Sequence, residues 1–224
     1  MTSDRVLASP ADMHGHLVDQ LNLVLRRPGM FGKTGVSMWF LIDHLLYLER
    51  RREVWREQTA RWEERGVWAG ARDAFASLLP ADQEEYCISS VYAEFARREG
   101  WLTLDRELSA EAYAALRESV GRWAGQDRVW SDVTAAFGPP SVLIGGPNPN
   151  YGKTLVYASP DPTQPMVSFH LWNGTDPSHS TWPTHEQPLL LAVRCGEGDF
   201  VDSFTFTPQG RRRQPQNEHA EQLA

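Results

Sequence analysis

Three histidines in the last third of the chain have the residue type and spacing that could do chemistry. His170 lies in the apolar run MVSFHLW, and His179 and His185 follow in the long loop NGTDPSHSTWPTHEQP. Histidine titrates near neutral pH, so these side chains could act as general acids and bases in an enzyme. They could instead ligate a metal ion with Asp176 or Glu186, although no compact ligand spacing supports a metal site.

A third interpretation of the same segment is a recognition surface for another protein, because Trp, Tyr and Arg dominate the energetics of protein interfaces. Alternation along MVSFHLW places His170 and Trp172 on the face opposite to Val167 and Phe169. If the apolar set is core, His170 and Trp172 lie on an open face of the sheet, with Arg194 beside them. We favour this interpretation, with a plain surface loop as the remaining alternative. The predicted binding residues are His170, Trp172, Asp176, His179, Trp182, His185 and Arg194.

The stretch SVLIGGPNPNYGKTLVYAS contains a Gly-Lys-Thr that suggests a phosphate-binding loop. The spacing is wrong, because five residues separate Gly146 from Gly152 and Pro147 occupies the position that needs glycine. A phosphate loop also opens a helix, whereas Lys153 is followed by an alternation typical of a strand. We therefore predict a β-hairpin here. The chain also has no nucleophile elbow, HExxH or dinucleotide motif, so we predict no cofactor and favour a non-enzymatic function.

The elements that must position these residues change character near Gly138. Before it apolar residues recur at helical spacing, and after it short β-rich runs alternate with turns. The run VSMWFLIDHLLYLE is apolar on nearly all sides, which predicts a helix central to the core. The pattern predicts helices over Ala11–Arg26, from Val36 to about Arg65, and over Ala69–Leu79, Asp82–Arg98, Ser109–Trp123 and Arg128–Phe137.

The five later runs are joined by short links, which favour antiparallel neighbours. The predicted fold class is α+β, with an N-terminal helical half of about six helices packed on a C-terminal antiparallel sheet of about five strands through one face. Residues 1–138 form the helical region and residues 139–208 the sheet region, with one shared core. Residues 209–224 are polar and predicted to be a disordered tail.

The segment RRPGMFGKTG, followed by an apolar helix, is similar to the opening of gyrase B subunits. The helix lacks the Asn with which that family holds Mg-ATP, and the Gly-rich lid is absent, so we reject an ATPase. The same RPGMFG opening, with the later phrase VTAAFGPPSVLIGG, resembles small uncharacterised bacterial proteins of immunity type. That resemblance implies a non-enzymatic inhibitor that binds one cognate partner and has no catalytic residues.

Charge and composition narrow the class of partner. The net charge is −7, which argues against a dedicated nucleic-acid binder and suits a basic protein partner such as a basic toxin. Cys87 and Cys195 are far apart, and no apolar run is long enough for a membrane helix, so we expect a cytoplasmic protein. The predicted function is a protein-binding module of immunity or inhibitor type that occludes its partner. The alternative is a small-molecule enzyme with a histidine-containing pocket on the open face of the sheet.

Overall fold

Helices precede an antiparallel sheet in this chain. A computed structural model describes residues 9–30, 34–67, 75–174, 183–196 and 198–215. The helices within those ranges are α1 (Pro10–Arg26), α2 (Thr34–Leu48), α3 (Glu53–Glu64), α4 (Glu84–Arg98), α5 (Ala110–Trp123), α6 (Trp130–Phe137) and α7 (Pro208–Arg212). The strands are β1 (Val142–Ile144), β2 (Lys153–Tyr157), β3 (Val167–Trp172), β4 (Leu189–Arg194) and β5 (Phe204–Phe206). The α+β prediction is confirmed.

The five strands pair in chain order, each antiparallel to the next. A bulge interrupts the pairing of β3 with β4, because His170 lies opposite Ala192 and Leu171 opposite Leu190, which leaves Leu191 without a partner. The bulge turns Leu191 and Ala192 toward the same side of the sheet. β4 therefore does not follow strict alternation.

Helices cover both faces of this sheet, so the expected packing through one face is wrong. On one side α1, α2 and α4 pack against the sheet in a cluster that includes Val156 and Trp172. On the other side α5 and α6 form a second cluster with Leu155, Phe169 and Val193. The two clusters lie on opposite faces of the sheet, whose β2 and β3 are buried along their whole length.

The predicted hairpin is confirmed, and Lys153 opens β2 with its side chain buried. Its Nζ donates to the carbonyl oxygens of Gly146 (2.9 Å) and Asn148 (2.7 Å), both in the preceding turn. The ammonium also lies 4.1 Å from the centroid of the Trp130 ring. Burial lowers the pKa of Lys153 to about 8. Lys153 of this Gly-Lys-Thr therefore stabilises the turn of the hairpin that contains it.

The helix predicted from Val36 to about Arg65 is in fact two helices, because the chain reverses at Arg50. Arg50 has φ of 58°, and the Arg51 N–H donates to the Leu46 carbonyl oxygen over 2.8 Å. This is the Schellman ending of a helix, with arginine where glycine is usual. No glycine marks this break in the sequence. The helix predicted over 69–79 lies largely outside the described residues.

Arg50→Gly should raise the free energy of unfolding by about 1 kcal/mol, because glycine adopts a left-handed backbone without the steric cost that arginine bears. Urea unfolding measures the change. Arg56 is exposed inside α3, so Arg56→Gly is the matched control and should lower stability by about 1 kcal/mol. Equal destabilisation by both substitutions would contradict the assignment of strain to Arg50.

The predicted disordered tail is wrong for residues 209–215, where α7 docks on the bulge of β4. Thr207 caps this helix by accepting from the Gly210 N–H, and its hydroxyl donates to the Leu190 carbonyl oxygen over 2.7 Å. A Cβ on Gly210 would lie 1.8 Å from the Leu191 carbonyl oxygen, so only glycine permits this approach. The remainder of the predicted tail, 216–224, lies outside the described residues.

Candidate functional site

The sequence-predicted site does not lie on an open face. His170, Trp172 and Arg194 are 0%, 4% and 2% exposed, because α4 and neighbouring elements cover this side of the sheet. His185 is described and half-buried. The other predicted binding residues, Asp176, His179 and Trp182, lie outside the described residues. The expectation of an exposed surface at His170, Trp172 and Arg194 is therefore wrong, whereas a binding role for the loop stays a prediction.

His170 lies in a closed polar pocket of the core. Its Nδ1 is 3.0 Å from Thr154 Oγ1 and 3.3 Å from Cys87 Sγ. The rings of Phe75 and Phe204 pack beside the imidazole, with centroids 6.0 and 5.8 Å away. Its Nε2 is buried and has no hydrogen-bond partner among the described residues. The arrangement brings together a thiol, a hydroxyl and an imidazole, three groups that often do chemistry.

The electrostatics of this pocket oppose catalysis. Burial, reinforced by the Arg194 guanidinium, lowers the pKa of His170 to about 3. Burial also raises the pKa of the Cys87 thiol well above its usual range. Both groups are therefore neutral at pH 7, so the pair supplies neither a thiolate nucleophile nor a base tuned to neutrality. The geometry of His170 gives the alternative of a histidine-dependent enzyme no support.

Trp172 anchors the end of β3 against the helical layer. Its Nε1 donates to both carboxylate oxygens of Asp82, over 2.9 and 3.0 Å. The Arg213 guanidinium lies 4.8 Å from the centroid of a Trp172 ring, and the His185 ring centroid lies 5.9 Å away. The Asn173 side chain bonds to the His185 backbone at both its nitrogen and its oxygen. These contacts fix the two ends of the loop that precedes β4.

Arg194 joins β4 to α4 through an ion pair. Its Nη2 lies 2.9 Å from Glu94 Oε2, with Arg194 almost fully buried and Glu94 14% exposed. Arg194 lies opposite Ser168 on β3, on the same side of the sheet as His170. The structure therefore brings His170 and Arg194 to one buried face, as the alternation predicted, but covers that face with α4.

The described residues contain no group of three or more His, Cys, Asp or Glu side chains that could hold a metal ion. His179 and Asp176, two of the predicted alternatives for a metal site, fall outside those residues. At His170, Thr154 Oγ1 and Cys87 Sγ lie within hydrogen-bond distance of Nδ1, so that nitrogen already has partners.

An exposed apolar surface lies instead on α2. Val36, Trp39, Phe40 and Tyr47 form what we call the α2 aromatic face; Phe40 is 51% exposed and Tyr47 63%. Helical spacing places Val36, Phe40 and Tyr47 in one line along the helix, and Trp39 lies beside them. The Trp39 and Phe40 ring centroids are 4.9 Å apart. The opposite side of α2 packs into the core, with Met38, Ile42, Leu45 and Leu46 fully buried.

The exposed surface of α2 was not predicted, although the sequence carries a signal for it. A helix that is apolar on nearly all sides predicts burial on all sides. Among the described residues, α1 and α4 pack against one side of α2, and Val36, Phe40 and Tyr47 on another side are exposed. The expectation that α2 is buried on all sides is therefore only half right. The signal for an exposed face was that α2 has more apolar residues than the core needs.

No family model, curated protein or solved structure matches this chain. The similarity of the RPGMFG segment to immunity-type proteins thus remains a prediction. Among the described residues, no helix is long and apolar enough to cross a membrane.

The exposure of each group decides which of these residues can contact a partner. Of the predicted site residues that the structure describes, His170 and Arg194 are buried in the core, whereas the α2 aromatic face is exposed. An exposed apolar surface of this kind can bind a partner by excluding water.

Proposed function

We propose that this chain is a protein-binding module of immunity or inhibitor type, which occludes a cognate partner through the α2 aromatic face. The exposure of Val36, Trp39, Phe40 and Tyr47 on one helix carries the proposal. Single exposed apolar residues are ordinary, but a contiguous group on a soluble domain marks an interaction site.

The composition of the face fits a protein interface. Tryptophan and tyrosine are enriched among the residues that dominate binding energy, because they bury large areas with few rotatable bonds. Trp39 and Phe40 already contact each other, and Tyr47 lies under the guanidinium of Arg52, which also pairs with Asp43 over 3.2 Å. Side chains held this way lose less conformational freedom on binding.

The charge of the chain supports a basic partner. Its net charge is −7, and complementary charge accelerates association and excludes wrong partners. A basic protein with an apolar patch is the partner that these features favour, and occlusion needs no catalytic group on this chain.

Site-specific photo-crosslinking tests the proposal. A photoreactive residue at Phe40 should crosslink a partner in lysate of the source cells, and the same residue at Glu118, exposed on α5, should not. Purified partner should then bind Phe40→Ser about thirtyfold more weakly, the loss expected of one interface hot spot. Since Phe40 is half exposed, far-UV circular dichroism and thermal unfolding should show an intact fold.

Two outcomes would contradict the proposal. Crosslinking from position 118 with none from position 40 would place the interface elsewhere. Sedimentation showing a dimer that Phe40→Ser dissociates would assign the face to a second copy of this chain and leave no surface for an inhibited partner.

A further inference from the structure

A cavity of about 290 Å³ opens between α3, α4 and the end of β4, away from the α2 aromatic face. Positive charge dominates its lining, since four arginines and two glutamates face it: Arg61, Arg65, Arg98, Arg194, Glu64 and Glu94. The chain as a whole is acidic. Guanidinium groups repel one another, so a concave site that gathers several of them favours an anion.

Some of these charges have little compensation from the protein. The Arg61 side chain is exposed at the cavity and makes no hydrogen bond or ion pair among the described residues. Arg98 donates to Oε1 of the buried Gln58, which is neutral. Arg194 pairs with Glu94 through Nη2, but its buried Nε has no partner within the described ranges. Some guanidinium N–H groups at the cavity therefore have no acceptor within the part of the protein that the structure describes and can donate to a ligand.

The pKa of Arg98 responds to this environment. Burial lowers the pKa of Arg98, and the nearby Arg61 guanidinium lowers that pKa further. The carboxylates of Glu94 and Glu99 raise it. Arg65 plays a different part, since its Nε donates to the Gly198 carbonyl oxygen over 2.9 Å and holds the loop after β4. Arg61 and Arg98 are thus the two charges best placed to meet a ligand.

We propose that this cavity binds a small organic oxyanion, a carboxylate or phosphate group attached to a flat apolar body. The guanidinium fork matches both oxyanions with paired charge-assisted hydrogen bonds. Trp62 and Phe200 supply apolar wall beside the arginines. The volume is at the small end of ligand sites, which suits a single ring with one charged group.

Calorimetric titration of the full chain tests this site with benzoate and phenyl phosphate as probes and neutral benzamide as their counterpart. We expect saturable binding of one or both anions and none of benzamide. Arg61→Gln and Arg98→Gln should each weaken binding about tenfold, the effect of one lost charge-assisted contact. Arg122→Gln, on the exposed side of α5, is the matched control and should bind as the wild type does.

The two anions distinguish a carboxylate site from a phosphate site. Three results would overturn the proposal. Benzamide could bind as well as the anions, neither anion could saturate the site at millimolar concentration, or both arginine variants could bind as the wild type does. If inorganic phosphate bound as tightly as phenyl phosphate, the proposal that the ligand carries an apolar body would be wrong. The site is independent of the proposed function, because Phe40→Ser should lose the protein partner and keep the anion.

Discussion

Glu94→Ala should lower the free energy of unfolding by about 3 kcal/mol, the cost of leaving a buried guanidinium without its carboxylate. Arg194 is 2% exposed, and its Nη2 donates to Glu94 Oε2 over 2.9 Å. Because its buried Nε already lacks a partner among the described residues, the side chain has no second acceptor to replace the carboxylate. The cavity beside Arg194 admits water, which places the cost at the lower end of the usual range.

Replacing both members of the pair separates the unpaired charge from the loss of packing. Glu94→Leu combined with Arg194→Met should recover most of the lost stability, because it removes both charges and keeps the apolar volume. Glu118→Ala, an exposed glutamate on α5, should change stability by no more than about 0.5 kcal/mol. Urea unfolding at pH 7 provides the measurements. A loss below about 1 kcal/mol for Glu94→Ala would mean that water in the cavity solvates Arg194 as well as the carboxylate does.

Local pattern predicted the elements, because helices and strands have their own periods. The ranges Asp82–Arg98, Ser109–Trp123 and Arg128–Phe137 correspond closely to α4, α5 and α6. The hairpin around Lys153 followed from turn residues and alternation, without knowledge of tertiary contacts. These features depend on residues close in sequence, which is why sequence reasoning reached them.

The same local pattern did not predict that helices cover both faces of the sheet. Along β3 the side chains do alternate between the two faces, but His170 and Trp172 are buried rather than exposed to water. Polarity in one strand cannot distinguish a solvated face from a covered one whose polar groups find partners, as His170 does with Thr154. The unbroken apolar run LLLAV in β4 was the better signal, since strands buried on both faces read that way.

The candidate surface was missed for the complementary reason. Sequence predicts burial from apolarity, and Phe40 and Tyr47 are apolar residues left outside by the packing of α1 and α4 against the other side of α2. Which side of an apolar helix stays uncovered is decided by tertiary contacts. The anion cavity has the same origin, because Arg61 and Arg194 are distant in sequence and meet only through the fold.

Acidification should destabilise the protein through His170, because the folded state keeps this imidazole neutral far below its ordinary range. Burial first, and the Arg194 guanidinium second, lower its pKa from 6.5 to about 3. Between those two values the unfolded chain binds a proton that the folded chain does not, so stability is lost as the pH falls. The loss is about 1.4 kcal/mol per pH unit, or about 2 kcal/mol between pH 6.5 and pH 5.

His170→Phe should reduce that loss by about 2 kcal/mol between pH 7 and pH 5, since it removes the titrating group. A phenyl ring can occupy the space beside Phe75 and Phe204, whose rings already pack against the imidazole. His16→Gln, at an exposed position of α1, keeps every buried group and should follow the wild type. Urea unfolding at several pH values measures all three proteins. If His170→Phe weakens on acidification as much as the wild type, the folded state protonates His170 and the pocket is open to solvent.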